Sequence, residues 1–243
     1  MSQFFDLASL VLVPSGYKSQ KIYAQKPLSA DGQLAFTRSN DTASRIGPDS
    51  LIEKVRTNLL TYSQDFSNAY WTKPQTTLVS GQTAPNGTND AFKLVEDTST
   101  NYHWLLLGSG VTTGEWGVSI FAKPAGRNYI AIGDASNSHY AYFDLQNGTI
   151  VSNHANAVPT IEAAGNGFYR CSVVLTVSGS ASLGFFISTD GSTINYTGNG
   201  TGGLYLFGAQ VETGVATTYI ATSGSAVSVG PVANLPRLDY SGG

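Results

Sequence analysis

"LYLFGAQVETGVATTYIAT", residues 204–222, sets an aromatic-rich apolar run against a Gly-Ala-Gln break and a tail of threonines. Three readings compete for such a stretch: a binding surface, a catalytic strand, or the last strand of a β-sandwich closing its core. The choice among them decides the fold, and the residues upstream narrow it.

Strand-length apolar runs recur before it at fairly regular intervals, over residues 103–107, 117–122, 129–132, 140–145, 168–177 and 183–188, with 204–211 the last. Turn signals separate them: Pro124-Ala-Gly, Asp134-Ala-Ser-Asn, Asn147-Gly148, Asn166-Gly167, Ser178-Gly179, Asp190-Gly191 and Gly198-Asn-Gly. The Asn147-Gly148 pair between "YFDLQ" and "TIVS" is the sharpest of these, because a two-residue type I′ turn needs positive φ at both positions. Many short strands with such turns predict an all-β chain, a jelly-roll β-sandwich of two antiparallel sheets with few helices.

Composition agrees. Charged residues are 12% of the 243, so the solvated surface is built from hydroxyls and amides, which suits turn-rich β-structure better than helices with Lys/Glu faces. The single cysteine, Cys171, excludes an intramolecular disulfide framework, and no Cys/His grouping has zinc-site spacing. Within "YRCSVVLTV" it reads as a buried, inert thiol. The first residues, "MSQFFDLASLVLVPSGYK", lack a basic leader and an apolar run long enough for a signal peptide or a membrane span, which predicts synthesis in a cytoplasm and no membrane insertion. Five Asn-X-Ser/Thr sequences, at Asn40, Asn86, Asn147, Asn195 and Asn199, read as turns in that setting.

Charge divides the chain. Residues 1–58 hold seven Lys/Arg and five Asp/Glu, whereas 59–243 hold six and eleven. The first 55 residues carry short apolar pieces broken by Pro14, Gly16, Pro27, Gly32, Gly47 and Pro48, none long enough to build a core alone. They read as an extended assembly arm that orders against a partner. Residues 56–222 are the expected jelly roll, and 223–243, broken by Gly230, Pro231 and Pro236, a linker or tail.

At this point the residues themselves become recognisable. "RTNLLTYSQDFSNAYWTK" (56–73), "TAPNGTNDAFKLVED" (83–97), "GVSIFAKPAG" (117–126), "YFDLQNGTI", "GNGFYRCSV" and "LYLFGAQVETGVATTYIAT" occur in one order. Together they resemble a jelly-roll module, similar to carbohydrate-binding modules, of tailed-bacteriophage structural proteins. "LVLVPSGYKSQKIYAQKP", "LAFTRSNDTASRI" and "NLPRLDYSGG" are similar to segments of virion proteins in gut phages, crAss-like ones included. The resemblance implies a head-fibre or tail-fibre component located in the virion. Its implied partners are further copies of itself as a homotrimer, other virion proteins such as capsid or portal-proximal proteins, and bacterial surface polysaccharide. A structural calcium ion is compatible with it; no other cofactor is implied. In the resembling modules the strand at 204–222 returns beside "NLLTYSQDF" and closes the sandwich. Gly208 and Ala209 fit that role, since small residues permit a bulge or a close sheet approach.

Sugar recognition needs an exposed aromatic plate for the apolar C–H face of a ring, with amides, carboxylates or imidazoles for the hydroxyls. Trp71 and Trp116 read as packing residues. Two stretches suggest binding. In "NYHWLLL" alternation puts Tyr102 and Trp104 on one side and His103 on the other, so either Trp104 or His103 faces outward. In "ASNSHYAYFD" a polar run leads through His139 into Tyr140 and Tyr142. The candidate glycan-binding residues are Tyr102, His103, Trp104, His139 and Tyr140. Catalysis has less support: Asp134, Asp144, Glu162, Asp190 and Glu212 are scattered, and no motif pairs two of them as acid and base. The acidic block has no basic stripe for nucleic-acid phosphates. Two classes remain: a virion adhesin, and a purely structural fibre or capsid-decoration piece.

Overall fold

The computed structural model describes residues 14–18, 21–24, 44–46, 52–107, 110–136 and 138–231. The expected arm falls mostly, and the end of the expected tail wholly, outside them. In the first part, β1 (Pro14–Lys18) pairs antiparallel with β2 (Lys21–Ala24), and β3 (Ser44–Ile46) with β4 (Ile52–Lys54).

After β5 (Arg56–Asn58) the chain lays down β6 (Thr76–Gln82) and β7 (Ala91–Glu96), the short β8 (Thr100–Tyr102) and β9 (Trp104–Leu106), and the long β10 (Gly114–Pro124). The chain continues through β11 (Tyr129–Asp134), β12 (His139–Asp144), β13 (Thr149–Asn153), β14 (Ala157–Ala163) and β15 (Tyr169–Val177). The last strands are β16 (Leu183–Ser188), β17 (Asn195–Thr197), β18 (Gly203–Thr213) and β19 (Val227–Val229). Six of them form one sheet in the order β14-β15-β10-β18-β7-β6, and five the other, β13-β12-β11-β16-β9. Every pairing is antiparallel and the chain alternates between the sheets, as a jelly roll requires. The one helical element among the described residues is the 3₁₀ turn Gly165–Gly167.

Period-2 alternation builds the core. Val118, Ile120 and Ala122 of β10, Cys171, Val173 and Leu175 of β15, and Leu204 and Leu206 of β18 face Ile130 and Ile132 of β11, Ala141 and Phe143 of β12, Phe185 and Ile187 of β16 and Leu105 of β9. Trp71 is buried as expected, its ring edge-on to Phe66 and its Nε1 donating to the Tyr62 carbonyl at 2.8 Å.

The stretch at 204–222 closes this sandwich. Gly208 adopts φ +59° where Ser119 and Phe121 pair with Gln210 and Phe207, so two residues of β18 oppose one of β10 in a bulge. Beyond it the Leu59 amide donates to the Val211 carbonyl at 2.8 Å, and the Ala209 amide to that of Ser63 at 2.9 Å. Ser63 and Thr222 exchange further bonds, and Val227–Val229 pairs antiparallel with Arg56–Asn58.

The turn expected at Asn147-Gly148 differs from its reading. Gly148 alone has positive φ there, and the loop has four residues rather than two. The Asp144 carboxylate sets it, accepting from the Gln146 and Asn147 amides and from Asn147 Nδ2. Positive φ at two successive residues occurs instead at Asn166 (+57°) and Gly167 (+77°), where the Phe168 amide reaches back to the Gly165 carbonyl.

Cys171 is fully buried, and that burial pushes its thiol well above the ordinary range. We expect no alkylation by iodoacetamide under native conditions and one alkylated thiol per chain in denaturant, read by mass spectrometry. Native-state labelling at a rate equal to that of the denatured chain would contradict the packing described.

Candidate functional site

The five-stranded sheet has an outward side as well as a core side. Because Leu105, Phe185, Ile130, Ile132, Ala141 and Phe143 point inward, their neighbours along each strand point out. Register then aligns them in two rows. One runs Trp104, Phe186, Ala131, Tyr142, Ser152 across β9, β16, β11, β12 and β13; the next runs Leu106, Gly184, Gly133, Tyr140. Both rows have small residues at their centre and aromatic rings beside them.

The two central glycines make room for those rings. A Cβ on Gly184 would stand 3.1 Å from Trp104 Cε3 and 3.3 Å from Phe186 Cε2, and one on Gly133 would stand 2.7 Å from Tyr140 Cδ1. The Trp104 and Tyr140 rings therefore lean over bare backbone. Trp104 stacks on Phe186 with centroids 4.7 Å apart and planes at 23°, and Tyr140 meets Phe186 edge-on at 5.1 Å. Tyr102, from β8, completes the group at 6.3 Å from Trp104 and 6.2 Å from Phe186. Phe186 is sealed at the centre and helped by Ile194 from the loop after β16, whereas Trp104 and Tyr142 are half-buried and Tyr102 is 38% exposed. This cluster is separate from the main core, with accessible rings around a rigid buried one.

The Tyr140 and Tyr142 hydroxyls are donors at neutral pH. Burial pushes the Tyr140 hydroxyl up, with Tyr102, Tyr142 and Asp134 adding to it, and burial with Asp190 and Tyr102 does the same for Tyr142.

Three of the five sequence candidates, Tyr102, Trp104 and Tyr140, meet on this face; the two histidines do not. His103 is fully buried on the core side of β9, its Nε2 3.2 Å from Asp97 Oδ1 and its ring 4.7 Å from Tyr196. Alternation allowed either His103 or Trp104 outward, and the inward phase follows Leu105 and Leu107, both core residues. His139 shares the inward phase of Ala141 and Phe143 and stacks on His154, with centroids 4.2 Å apart and planes at 20°. Its ring therefore does not join that of Tyr140 on the outer face.

Phe186, Tyr142, Gly133 and Gly184 were missing from the sequence candidates. One signal for Phe186 lay in "LGFFIS": two adjacent phenylalanines in one strand face opposite sides, so one had to stand on the outer face.

A buried polar network borders the short pair of β8 and β17. Glu96, at the end of β7 and 1% exposed, accepts two bonds from Arg127 at 2.9 and 2.5 Å, one from Tyr196 Oη at 2.6 Å and one from the Asn199 amide at 2.8 Å. Burial would raise its pKa, but these bonds and the Arg127 charge outweigh it and hold the carboxyl below the usual range. Other carboxylates cap turns. Asp190 accepts from the amides and hydroxyls of Ser192 and Thr193, which against its partial burial bring it to about 2, and Asp97 caps Ser99. Among the described residues no three His, Cys, Asp or Glu side chains gather as a metal site would need.

No protein-family model and no curated protein matches the chain. Among solved structures it is similar to a carbohydrate-binding module of family 29, at 8% identity and TM-score 0.40 over 70% of this chain and 96% of that one. It is also similar to a "putative sugar binding protein" from Bacteroides thetaiotaomicron, at 9% identity and TM-score 0.25 over 74% and 100%. Similarity at this level assigns neither family nor ligand.

Proposed function

We propose that this chain is a non-catalytic glycan-binding module whose ligand lies on the outer face of the five-stranded sheet. The observation that carries the reading is the aromatic cluster around Phe186, which packs outside the main core and keeps Tyr102, Trp104 and Tyr142 accessible. A sugar ring offers an apolar C–H face to such rings, and its hydroxyls pair with phenols. Phe186 and the glycine floor fix the Trp104 ring before ligand arrives, which limits the ordering cost of binding. One such site gives weak affinity, on the order of millimolar to micromolar.

The setting we propose, from the resemblance in sequence, is a head-fibre or tail-fibre protein of a bacteriophage that contacts host surface polysaccharide. Trimerisation through the N-terminal arm would repeat the site, and linked sites raise the effective affinity without new contacts. The alternative is a structural fibre block whose aromatic face is covered by a neighbouring subunit.

Affinity electrophoresis through gels holding surface polysaccharide of gut bacteria tests this. We expect retardation of the full chain, and about tenfold weaker retardation for Trp104→Ala and Tyr102→Ala with unchanged sedimentation. Free migration of the parent chain in every gel would overturn the proposal. Dissociation of the oligomer in both variants would replace it with the structural alternative.

A further inference from the structure

The aromatic face is unusual in its charge. None of β9, β11, β12, β13 and β16 contains a lysine or arginine, and the chain has none over residues 94–122, 128–169 and 171–236. The basic side chains described in the sandwich lie elsewhere. Lys123 donates to the Asn166 carbonyl and lies against Phe168 and Tyr205 of the opposite sheet, where Arg170 bonds Ser119. Arg127, which reaches Tyr196 of β17, has its charge and donors committed to Glu96.

An acidic group, by contrast, stands beside the face. Asp190, in the loop after β16, bears on Tyr142, and that loop lies against the sheet, where a Cβ on Gly191 would stand 3.1 Å from Tyr129 Cδ1 and from Val151; Asp134, in the inward phase of Ile130 and Ile132, is fully buried. A carboxylate, sulfate or phosphate on a ligand would meet phenols and a carboxylate here, and among the described residues no cation of the face would replace its hydration. The uncharged hydroxyls of a neutral sugar meet no such barrier.

Resting on the glycan-binding reading, we propose that this face takes neutral glycans and rejects polyanionic ones. The substrate class is thereby set by what the face lacks as much as by its rings, a form of specificity achieved by exclusion.

The test separates extracted bacterial surface polysaccharide into neutral and acidic pools and reduces the carboxyl groups of part of the acidic pool. At about 10 mM salt, where the screening length is ~30 Å, the full chain should bind the carboxyl-reduced pool about tenfold more tightly than its acidic parent. Near 1 M salt, where that length falls to ~3 Å, the gap should narrow, while binding of the neutral pool stays nearly constant. Ser152→Lys adds a cation at an exposed position in register with Tyr142. It should raise the ratio of acidic-pool to neutral-pool retention at least threefold at low salt.

Equal or tighter binding of the acidic parent at low salt would overturn the inference and leave the glycan reading standing, as would a Ser152→Lys variant indifferent to the acidic pool. Binding to none of the pools would remove the glycan reading and this inference with it.

Discussion

Replacing Arg127 with methionine lowers the stability of the domain by about 3 kcal/mol, the scale for removing one partner of a buried ion pair. The effect is expected to be this large because Glu96 is sealed from water and takes two of its four hydrogen bonds from that guanidinium. A methionine side chain fills much of the space that the arginine leaves; the uncompensated carboxylate is the cost. Pairing the change with Glu96→Gln should recover part of the loss, since coupled neighbours are not additive. Acid has a defined effect too. The Glu96 carboxyl is held below its ordinary value, so its contribution is complete above the unfolded-chain pKa of ~4.3 and is lost as pH falls through the folded one. The difference between parent and Arg127→Met, measured by urea titration, should therefore shrink below about pH 4. A constant difference down to pH 3 would mean that the loss comes from packing and not from the charge.

The second large effect is expected at Asn58, a fully buried amide at the end of β5. Its Nδ2 donates to the carbonyls of Ala209 and Ile220 at 3.2 and 2.7 Å, and its Oδ1 accepts from the amides of Leu60 and Val211, both at 3.2 Å. One side chain thus joins the first strand of the domain to the bulge and to the returning segment. Asn58→Ala leaves buried backbone donors and acceptors without partners, at about 1–3 kcal/mol for each such group before relaxation. A total near 3 kcal/mol, or a melting temperature lower by roughly 6–12 °C for a domain of this size, is expected in calorimetry. Asn58→Asp keeps the acceptor and loses the donors, so it should fall as far at pH 7 and recover on acidification. A shift below 2 °C for Asn58→Ala would show that water or a rearranged backbone replaces the amide.

The amount of this architecture that could be read in advance follows burial. Strands β15 and β16 fall almost on their expected limits, because each carries a strand-length run of mostly buried residues. β6, β7 and β14 lie outside the expected runs, and β13 was marked only by the turn expected before it. β6, β13 and β14 end a sheet and their side chains are mostly exposed, so no hydrophobic pattern marks them, while in β7 the half-buried Lys93 and the buried Glu96 interrupt the apolar residues. The site shows the same division. Tyr102, Trp104 and Tyr140 could be found from aromatic alternation, but the centre of their cluster, Phe186, comes from a strand some 80 residues after Trp104 and is brought there only by the pairing of β9 with β16. The separation of His139 from Tyr140 has a physical cause: its ring partner, His154, lies across the β12–β13 hairpin, and local sequence does not reveal which side of a rim residue is occupied. The Glu96 network joins residues 96, 127, 196 and 199, which no short motif could have grouped.

The antiparallel pairing of Arg56–Asn58 with Val227–Val229 has a mechanical meaning. Tension applied to the two flanking segments reaches the module first at Arg56 and Val229, which are partners in that pairing. Force in this geometry opens a ladder one rung at a time, like a zip, whereas a shear load would have to break the rungs together. The sandwich consequently hangs beside the line of pull. Under such tension the chain would give way at this short ladder while the aromatic face, on the far more extensively paired five-stranded sheet, kept its shape. Pulling on the two ends in a force spectrometer should show a low-force opening of a few residues well before the sandwich itself unfolds.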